Sequence, residues 1–116
     1  MTTEDDAREI VRNIKSRRQK WAVSAREKNE QLVSILAVTQ EEILNEIYSR
    51  LTWINYSSGP MADTSRRHRQ GNVWIFGLTI SDIDCYLKFQ DRPDANGLVM
   101  WISIHEAERP LYFPFQ

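Results

Sequence analysis

The stretch GNVWIFGLTISDIDCYLKFQ, residues 71–90, shows apolar and polar residues alternating on both sides of a short turn. Alternation with a period of two is typical of β-strands whose two faces have different surroundings. We therefore predict one strand in VWIFGLT and a second in IDCYLKFQ, with Asp82 close to the tight turn between them. A third alternating run, LVMWISIH, follows the turn sequence DRPDANG, so the three strands are expected to form an antiparallel meander.

The first fifty residues have the composition of helices. They hold nine basic and nine acidic residues and neither glycine nor proline. Thr3 has the position of a cap for a first helix, and Thr39 and Glu42 have the spacing of a capping box for a later one. The segment EKNEQLVSILA between them also has helical spacing, and KWAVS before it indicates a short strand. The residues expected to be buried are Ala7, Ile10, Val11 and Ile14 in the first helix and Ile43, Leu44, Ile47, Tyr48 and Leu51 in the last.

These segments predict an α+β fold in a single domain, residues 1–116. Two or three N-terminal helices would pack on a C-terminal antiparallel sheet of three to four strands. A polar loop, residues 52–72, would join the two parts, and it ends in a Gly-Asn turn signal. The C-terminal RPLYFPFQ has two prolines and three aromatic residues, and we expect it to lie extended on the body of the domain.

Composition narrows the class of protein. The 116 residues suffice for one domain with a modest core, and the net charge of −1 gives no argument for a nucleic-acid or anionic-membrane partner. The single cysteine excludes an internal disulfide and fits a reducing compartment. The chain has neither the apolar run of about 18 residues that a membrane helix needs nor the apolar segment of a secretion signal at its start. We therefore expect a small cytoplasmic protein that has no membrane partner.

Strand parity predicts which side chains lie on the open face of the sheet, away from the helices. In the second strand, Tyr86 and Lys88 point away from the apolar face to which Cys85 belongs. In the third strand, the aliphatic set is Leu98, Met100, Ile102 and Ile104, and the opposite set is Val99, Trp101, Ser103 and His105. If both aliphatic faces pack on the helices, the open face shows Tyr86, Lys88, Trp101, Ser103 and His105.

Each of these side chains also has a purely structural interpretation. Tyr86 and Trp101 would serve as cross-strand aromatic cover. Lys88 would be a solubilising surface charge, and His105 a hydrogen-bonded residue at a strand end. A function is indicated only if they converge on one surface, because the convergence would bring together groups that donate or move protons.

The segment SRRHRQG, residues 65–71, is a local basic cluster in a chain that is nearly neutral. Its arginines, Arg66, Arg67 and Arg69, surround His68, which is typical of a phosphate-binding loop. A solvated loop that happens to be basic would have the same composition. The flat side chains nearby, available either to a nucleobase or to the core, are those of Trp53 and Tyr56.

The chain lacks the sequence motifs of several common kinds of metal, catalytic and nucleotide-binding site. One cysteine and two distant histidines, His68 and His105, do not form a zinc-ligand pattern. The chain has no Gly-rich phosphate loop, no nucleophile elbow and no dinucleotide fingerprint. We therefore predict neither a metal nor a cofactor.

Five segments stand out in order along the chain: TQEEILNEIYSRLT, NYSSGP, GNVWIF, CYLKF and WISIHEAERPLYFPF. As an ordered set they resemble the toxins of bacterial type II toxin–antitoxin pairs, and most closely the MqsR-like group within the RelE-like ribonuclease fold. That family shows a helix, an aromatic stretch with Gly-Pro, a Val-Trp strand, a Tyr-Leu-Lys strand and a last strand with a Ser-x-His-like ending. The resemblance covers residues 27–116, so the helix and possible short strand of residues 1–26 lie outside it.

The resemblance implies a metal-independent endoribonuclease that cuts messenger RNA and is neutralised by a cognate antitoxin. RNA supplies its own nucleophile, the 2′-hydroxyl, so such an enzyme needs a proton acceptor, a proton donor and positive charge near the phosphate. Tyr86 matches the family's strand tyrosine and would transfer a proton or contact the scissile phosphate. Lys88 would hold a phosphate oxygen, and His105 would act as general acid or base. The RNA-binding set would comprise Arg66, Arg67, His68 and Arg69, of which one arginine stabilises the developing charge, together with Tyr56 and Trp101.

Two positions depart from the family pattern. Ile75 stands where the family has a glutamine after its tryptophan, and Ser57 stands where it has a lysine after an aromatic residue. These departures leave open a non-catalytic interaction module, whose aromatic strands and Pro-rich tail would dock another protein while the arginines recognise an acidic patch. A DNA-binding regulator fits less well, because the helices are neither basic nor arranged as a helix-turn-helix.

Overall fold

The structure is a computed structural model and describes residues 1–62, 71–93 and 95–116. The predicted phosphate-binding residues Arg66, Arg67, His68 and Arg69 lie outside the described residues, and their role stays a prediction. The helices are α1 (Glu4–Ser16), α2 (Glu27–Leu36) and α3 (Gln40–Arg50). The strands are β1 (Trp21–Val23), β2 (Tyr56–Ala62), β3 (Asn72–Ile80), β4 (Ile83–Arg92) and β5 (Leu98–Glu106), and short 3-10 turns at Arg18–Lys20 and Trp53–Asn55 precede β1 and β2.

The prediction of an α+β fold is confirmed, because three N-terminal helices precede a sheet in the described part of the chain. The predicted antiparallel sheet of three to four strands is wrong in two respects. Within the described ranges the sheet has five strands, in the order β1-β5-β4-β3-β2, and it is mixed, since β1 runs parallel to β5. The strand β2 lies inside the region predicted to be a loop, where Gly59 and Pro60 obscure it; both residues are uncommon in strand interiors and are tolerated at sheet edges.

Both predicted helix starts are confirmed. The Thr3 hydroxyl accepts a hydrogen bond from the Asp6 N–H at 3.1 Å, and the Asp6 carboxylate accepts one from the Thr3 N–H at 2.9 Å. The hydrogen bond from the Thr3 backbone is the main reason that the pKa of Asp6 is lowered. At α3, the Thr39 hydroxyl accepts from the Glu42 N–H at 3.1 Å. Such caps satisfy N–H groups that a first helical turn leaves free, which is why local sequence predicts them.

An apolar core joins the helices to one face of the sheet. The stripes predicted for α1 and α3 are buried, except for Tyr48, which is 42% exposed. Cys85 lies on the core face of β4, and burial raises the pKa of its thiol to about 11, so the thiol stays protonated at neutral pH. No helix in the described ranges combines the length and apolar character needed to cross a membrane. The largest fully buried side chains include Ile14, Leu32, Ile47, Phe76, Leu87, Phe89 and Trp101.

A β-bulge in β5 changes which of its side chains face the core. Lys88 pairs with Ser103, but the next residue of β4, Phe89, pairs with Trp101, so Ile102 is an extra residue in β5. A bulge shifts the alternation of one strand by one residue relative to its partner. The prediction that Trp101 lies on the open face is therefore wrong, because its side chain is fully buried.

The same shift affects the residues before the bulge. Val99 is fully buried, although the alternation of the sequence places it on the open face. After the bulge, the predicted parity holds, and Ile104 packs in the core while His105 pairs with Tyr86 on the opposite face. The sequence thus predicts the correct faces for the residues after the bulge and the opposite faces for Val99 and Trp101 before it.

The residues after β5, which we call the C-terminal tail (residues 107–116), cross the open face of the sheet. The tail passes over Gly77 of β3, where an added Cβ atom would lie 2.7 Å from side-chain atoms of both Leu111 and Phe113. Ser57 donates a hydrogen bond to the Tyr112 carbonyl at 2.8 Å, which holds the tail against β2. The expectation that this segment lies on the body of the domain is confirmed.

Candidate functional site

Three of the predicted site residues meet on the open face of the sheet. Tyr86 pairs with His105 across β4 and β5, and Lys88 pairs with Ser103 one step further along. The rings of Tyr86 and His105 are nearly parallel, with centroids 5.3 Å apart and an angle of 16° between planes. This is an offset stack that fixes the imidazole beside the phenol. The predicted convergence of Tyr86, Lys88 and His105 is therefore present, while the roles of these residues stay predictions.

These side chains line a pocket of about 520 Å³, which we call the β4–β5 pocket. Its walls come from the sheet, from the start of α2 and from the C-terminal tail. Four side chains in the lining carry a positive charge, and Glu108 supplies the carboxylate. The surplus of cations suits a phosphate group. The lining consists of Arg26, Lys28, Tyr86, Lys88, Ser103, His105, Glu108, Arg109, Pro110 and Leu111.

The β-bulge is held by the start of α2. Asn29 is 3% exposed, and its amide oxygen accepts a hydrogen bond from the Ile104 N–H at 2.8 Å. Its amide nitrogen donates to the carbonyls of Ser24 and Ile102, at 3.0 Å and 3.1 Å. The bulge leaves backbone groups without strand partners, and a buried side chain that satisfies them fixes its geometry.

Arg26, at the N-terminal end of α2, reaches the same region. Its guanidinium donates a hydrogen bond to the Ser103 hydroxyl at 2.9 Å. The contact places a permanent positive charge next to Tyr86 and Lys88 without a salt bridge to a carboxylate that would neutralise it among the described residues. Arginine in this position can donate further hydrogen bonds to a phosphate oxygen, because its guanidinium has five N–H groups.

We predict that Asn29→Ala lowers the free energy of unfolding by about 2–3 kcal/mol, because it leaves buried backbone groups unpaired. The same change should move the NMR signals of the His105 imidazole, since the strand on which this residue lies loses its anchor. Urea denaturation and two-dimensional NMR measure the two effects. Glu30→Ala, at the exposed neighbouring position, is the matched control and should change stability by less than about 0.5 kcal/mol. Equal stabilities for the two variants would mean that Asn29 does not hold the bulge.

The protonation chemistry of the two stacked rings differs. His105 donates from Nδ1 to the carbonyl of Glu106 at 2.9 Å, because a carbonyl oxygen can only accept. Nε2 is therefore the nitrogen left for a ligand. Burial raises the pKa of Tyr86, against an opposing effect of Arg26, so the phenol stays protonated at neutral pH and acts as a hydrogen-bond donor.

Glu108 forms a salt bridge with Lys28, which joins the C-terminal tail to α2. The hydrogen bond from Lys28 is the main cause that lowers the pKa of Glu108, and the positive charges of His105 and Arg109 act in the same direction. The carboxylate is consequently ionised at neutral pH. In the described residues, no group of three or more His, Cys, Asp or Glu side chains is arranged to hold a metal ion.

Two aromatic residues predicted to contact RNA belong to the core. Trp101 is fully buried, and its ring centroid lies 4.9 Å from that of Trp21 and 5.0 Å from that of Phe89. Tyr56 is 6% exposed and stacks on Phe115 with centroids 5.2 Å apart. Its hydroxyl donates to the carbonyl of Gly59, so both ends of the side chain are occupied. The prediction that these rings are available to a nucleobase is therefore wrong, and core packing, which the sequence left open for Tyr56, applies.

The two departures from the family pattern have different surroundings. Ile75 is half-buried and pairs with Lys88, so an aliphatic side chain lies next to the lysine on the open face. Ser57 is engaged with the C-terminal tail rather than with the β4–β5 pocket. Only Ile75 therefore changes the chemistry beside Lys88.

Four charged residues of the pocket have no role in the sequence-based prediction. Arg26 and Lys28 lie far from β4 and β5 in sequence, and no local pattern indicates that α2 begins at the open face. Glu108 and Arg109 closely follow His105, so the short distance along the chain was the available signal. A larger concavity of about 780 Å³ lies between α1 and β2, but its charged side chains are Asp6 and Glu9, which do not suit a phosphate.

Comparison with known proteins adds no relative. No protein-family model matches the chain, and searches of curated proteins and of solved structures also give no match.

Proposed function

We propose that the protein is the toxin of a type II toxin–antitoxin system and acts as a metal-independent endoribonuclease on messenger RNA. The observation that supports the proposal is the Tyr86–His105 stack, which lies beside Lys88 in a pocket rich in positive charge. RNA cleavage by its own 2′-hydroxyl requires groups that transfer protons and positive charge near the phosphate, and imidazole, phenol and ammonium groups are of these kinds. Messenger RNA is found in the cytoplasm, so this is where we place the activity.

The reaction consists of attack by the 2′-oxygen on the adjacent phosphorus and departure of the 5′-oxygen. Negative charge builds up on the non-bridging oxygens, and donors already in position stabilise it. Lys88, Arg26 and Arg109 carry the positive charges that would surround these oxygens. The protonated Tyr86 hydroxyl would add a neutral donor, and Nε2 of His105 would exchange a proton with the substrate.

The direct test is to incubate the purified protein with single-stranded messenger RNA, free and bound to ribosomes, in the presence of EDTA. We expect cleavage that leaves a 2′,3′-cyclic phosphate or 3′-phosphate and a 5′-hydroxyl, which end-specific labelling detects. A folded preparation that cuts neither substrate would overturn the proposal.

Lys88→Gln should reduce the cleavage rate by about 10²-fold, because it removes a cation that stabilises the transition state. The rate is measured under single-turnover conditions with the same RNA. Lys20→Gln is the matched control, since Lys20 is exposed and does not line the β4–β5 pocket. If the two variants cleave at the same rate, Lys88 is not part of the site.

If the protein is a toxin, its activity in cells should depend on whether a cognate antitoxin is present. Production of the chain alone should arrest growth, and coproduction of a cognate antitoxin, sought in the adjacent reading frame, should restore it. If the Lys88→Gln variant still arrests growth, the toxicity does not depend on the proposed RNA-cleaving site.

A non-catalytic interaction module is the second candidate, and Ile75 is the observation that favours it. An aliphatic side chain opposite Lys88 removes a polar group from the face that would bind the reacting phosphate. This candidate predicts that the protein binds a protein partner and leaves all RNA substrates intact. The cleavage experiment above therefore distinguishes the two candidates.

A further inference from the structure

We infer that Glu108 is a catalytic residue that accepts the proton of the 2′-hydroxyl, while His105 gives its proton to the leaving 5′-oxygen. The inference rests on the proposed function and adds to it the second proton-transfer group. RNA cleavage needs both an acceptor and a donor, and one imidazole cannot be fully in both states at once.

Few of the residues that line the β4–β5 pocket can accept a proton. Arginine and lysine side chains are protonated at neutral pH and cannot accept a proton. Tyr86 is protonated as well, because burial raises its pKa, and a serine hydroxyl is a poor base. Among the described residues that line the β4–β5 pocket, the groups left to accept a proton are therefore His105 and Glu108.

The position of Glu108 fits the role. The β4–β5 pocket adjoins a concavity of about 220 Å³ on the α2 side, and both are lined by Lys28, His105 and Glu108. The Glu108 carboxylate and the His105 imidazole therefore both lie where the two cavities meet. The start of the tail is fixed, since the Ala107 N–H donates to the Asp84 carbonyl at 2.8 Å. Lys28 holds the carboxylate and keeps it ionised.

One proton is accepted and one is donated in the cleavage step. The 2′-oxygen loses its proton to the Glu108 carboxylate and forms a bond to phosphorus. The bond between phosphorus and the 5′-oxygen breaks, and the 5′-oxygen takes the proton from Nε2 of the His105 imidazolium. The products are a 2′,3′-cyclic phosphate and a 5′-hydroxyl, and exchange with water returns both side chains to their starting states.

The test compares pH–rate profiles for the wild type, Glu108→Gln and Lys28→Gln. In the wild type the rate should rise with pH as Glu108 ionises. Glu108→Gln should lower the maximal rate by about 10²–10⁴-fold and abolish the rising limb. Lys28→Gln removes the same salt bridge but keeps the carboxylate, so the rising limb should move to higher pH, because Lys28 lowers the pKa of Glu108.

A merely structural role for Glu108 gives a different result. The salt bridge is solvent-exposed, so its loss should change the melting temperature little in either variant. If Glu108→Gln keeps the rising limb and the wild-type rate, Glu108 is not the base, although the proposed function stands. If the wild type itself cleaves no RNA, the proposed function fails, and this inference fails with it.

Discussion

On the proposed mechanism, His105→Ala is expected to reduce the rate of RNA cleavage by about 10²–10⁴-fold, because it removes the imidazole that we propose exchanges a proton with the substrate. The effect should lie in the chemical step, since the cations that we propose bind the phosphate remain. The folded state should be nearly unchanged, because His105 is half-exposed and its imidazole donates a hydrogen bond to the neighbouring Glu106 carbonyl. Single-turnover kinetics and thermal unfolding measure the two quantities separately.

Two further measurements make the His105 prediction specific. Imidazole added to the buffer should restore part of the activity of His105→Ala, because the cavity left by the side chain can admit it. Tyr86→Phe keeps the aromatic stack and removes only the hydroxyl, so it should lose activity without disturbing the position of His105. A His105→Ala variant with wild-type cleavage would disprove the role of the imidazole.

Trp101→Ala is expected to lower the free energy of unfolding by about 3–5 kcal/mol, which is the typical cost of removing a large aromatic side chain from a core. Trp101 is fully buried, and its ring packs against Trp21 and Phe89. A loss of this size is a large part of the stability of a small domain. Urea denaturation with an unchanged m-value would measure it.

The matched controls for Trp101 are an exposed aromatic residue and a smaller buried ring. Tyr112 is 77% exposed, and Tyr112→Ala should change stability by less than about 0.5 kcal/mol. Trp101→Phe should cost less than Trp101→Ala, because it keeps an aromatic ring and removes an indole N–H that has no hydrogen-bond partner among the described residues. If Trp101→Ala were as mild as Tyr112→Ala, the tryptophan would be a surface residue and β5 would lack the bulge.

The sequence predicts the elements of this fold whose signals are local. Helix starts at Thr3 and Thr39 follow from side chains that bond to the backbone three residues away. The strands β3, β4 and β5 follow from alternation within each segment, and the position of Tyr86 and His105 on one face follows from parity. Parity gives the wrong face for Trp101, because the extra residue of the β-bulge cannot be recognised from the alternation of apolar and polar residues in β5.

The remaining features depend on contacts between distant segments. The alternation in KWAVS indicates the short strand β1, but its parallel pairing with β5 joins residues far apart in sequence, so local sequence does not place it in the sheet. The charged groups of α2 and of the C-terminal tail reach the β4–β5 pocket only through tertiary packing. The arginines at positions 66, 67 and 69 lie outside the described residues, and Arg26 and Arg109 carry the guanidinium groups of the described site.

Gly77 lies outside the lining of the β4–β5 pocket, yet it lies beneath Leu111, which is part of that lining. Because Gly77 has no side chain, the side chains of Leu111 and Phe113 can pack closely against the sheet. Pro110 and Leu111 then line the pocket together with Tyr86. A methyl group at that point would collide with the ends of the Leu111 and Phe113 side chains, which would have to shift. A side chain at position 77 is therefore expected to change the part of the pocket lining that Leu111 forms.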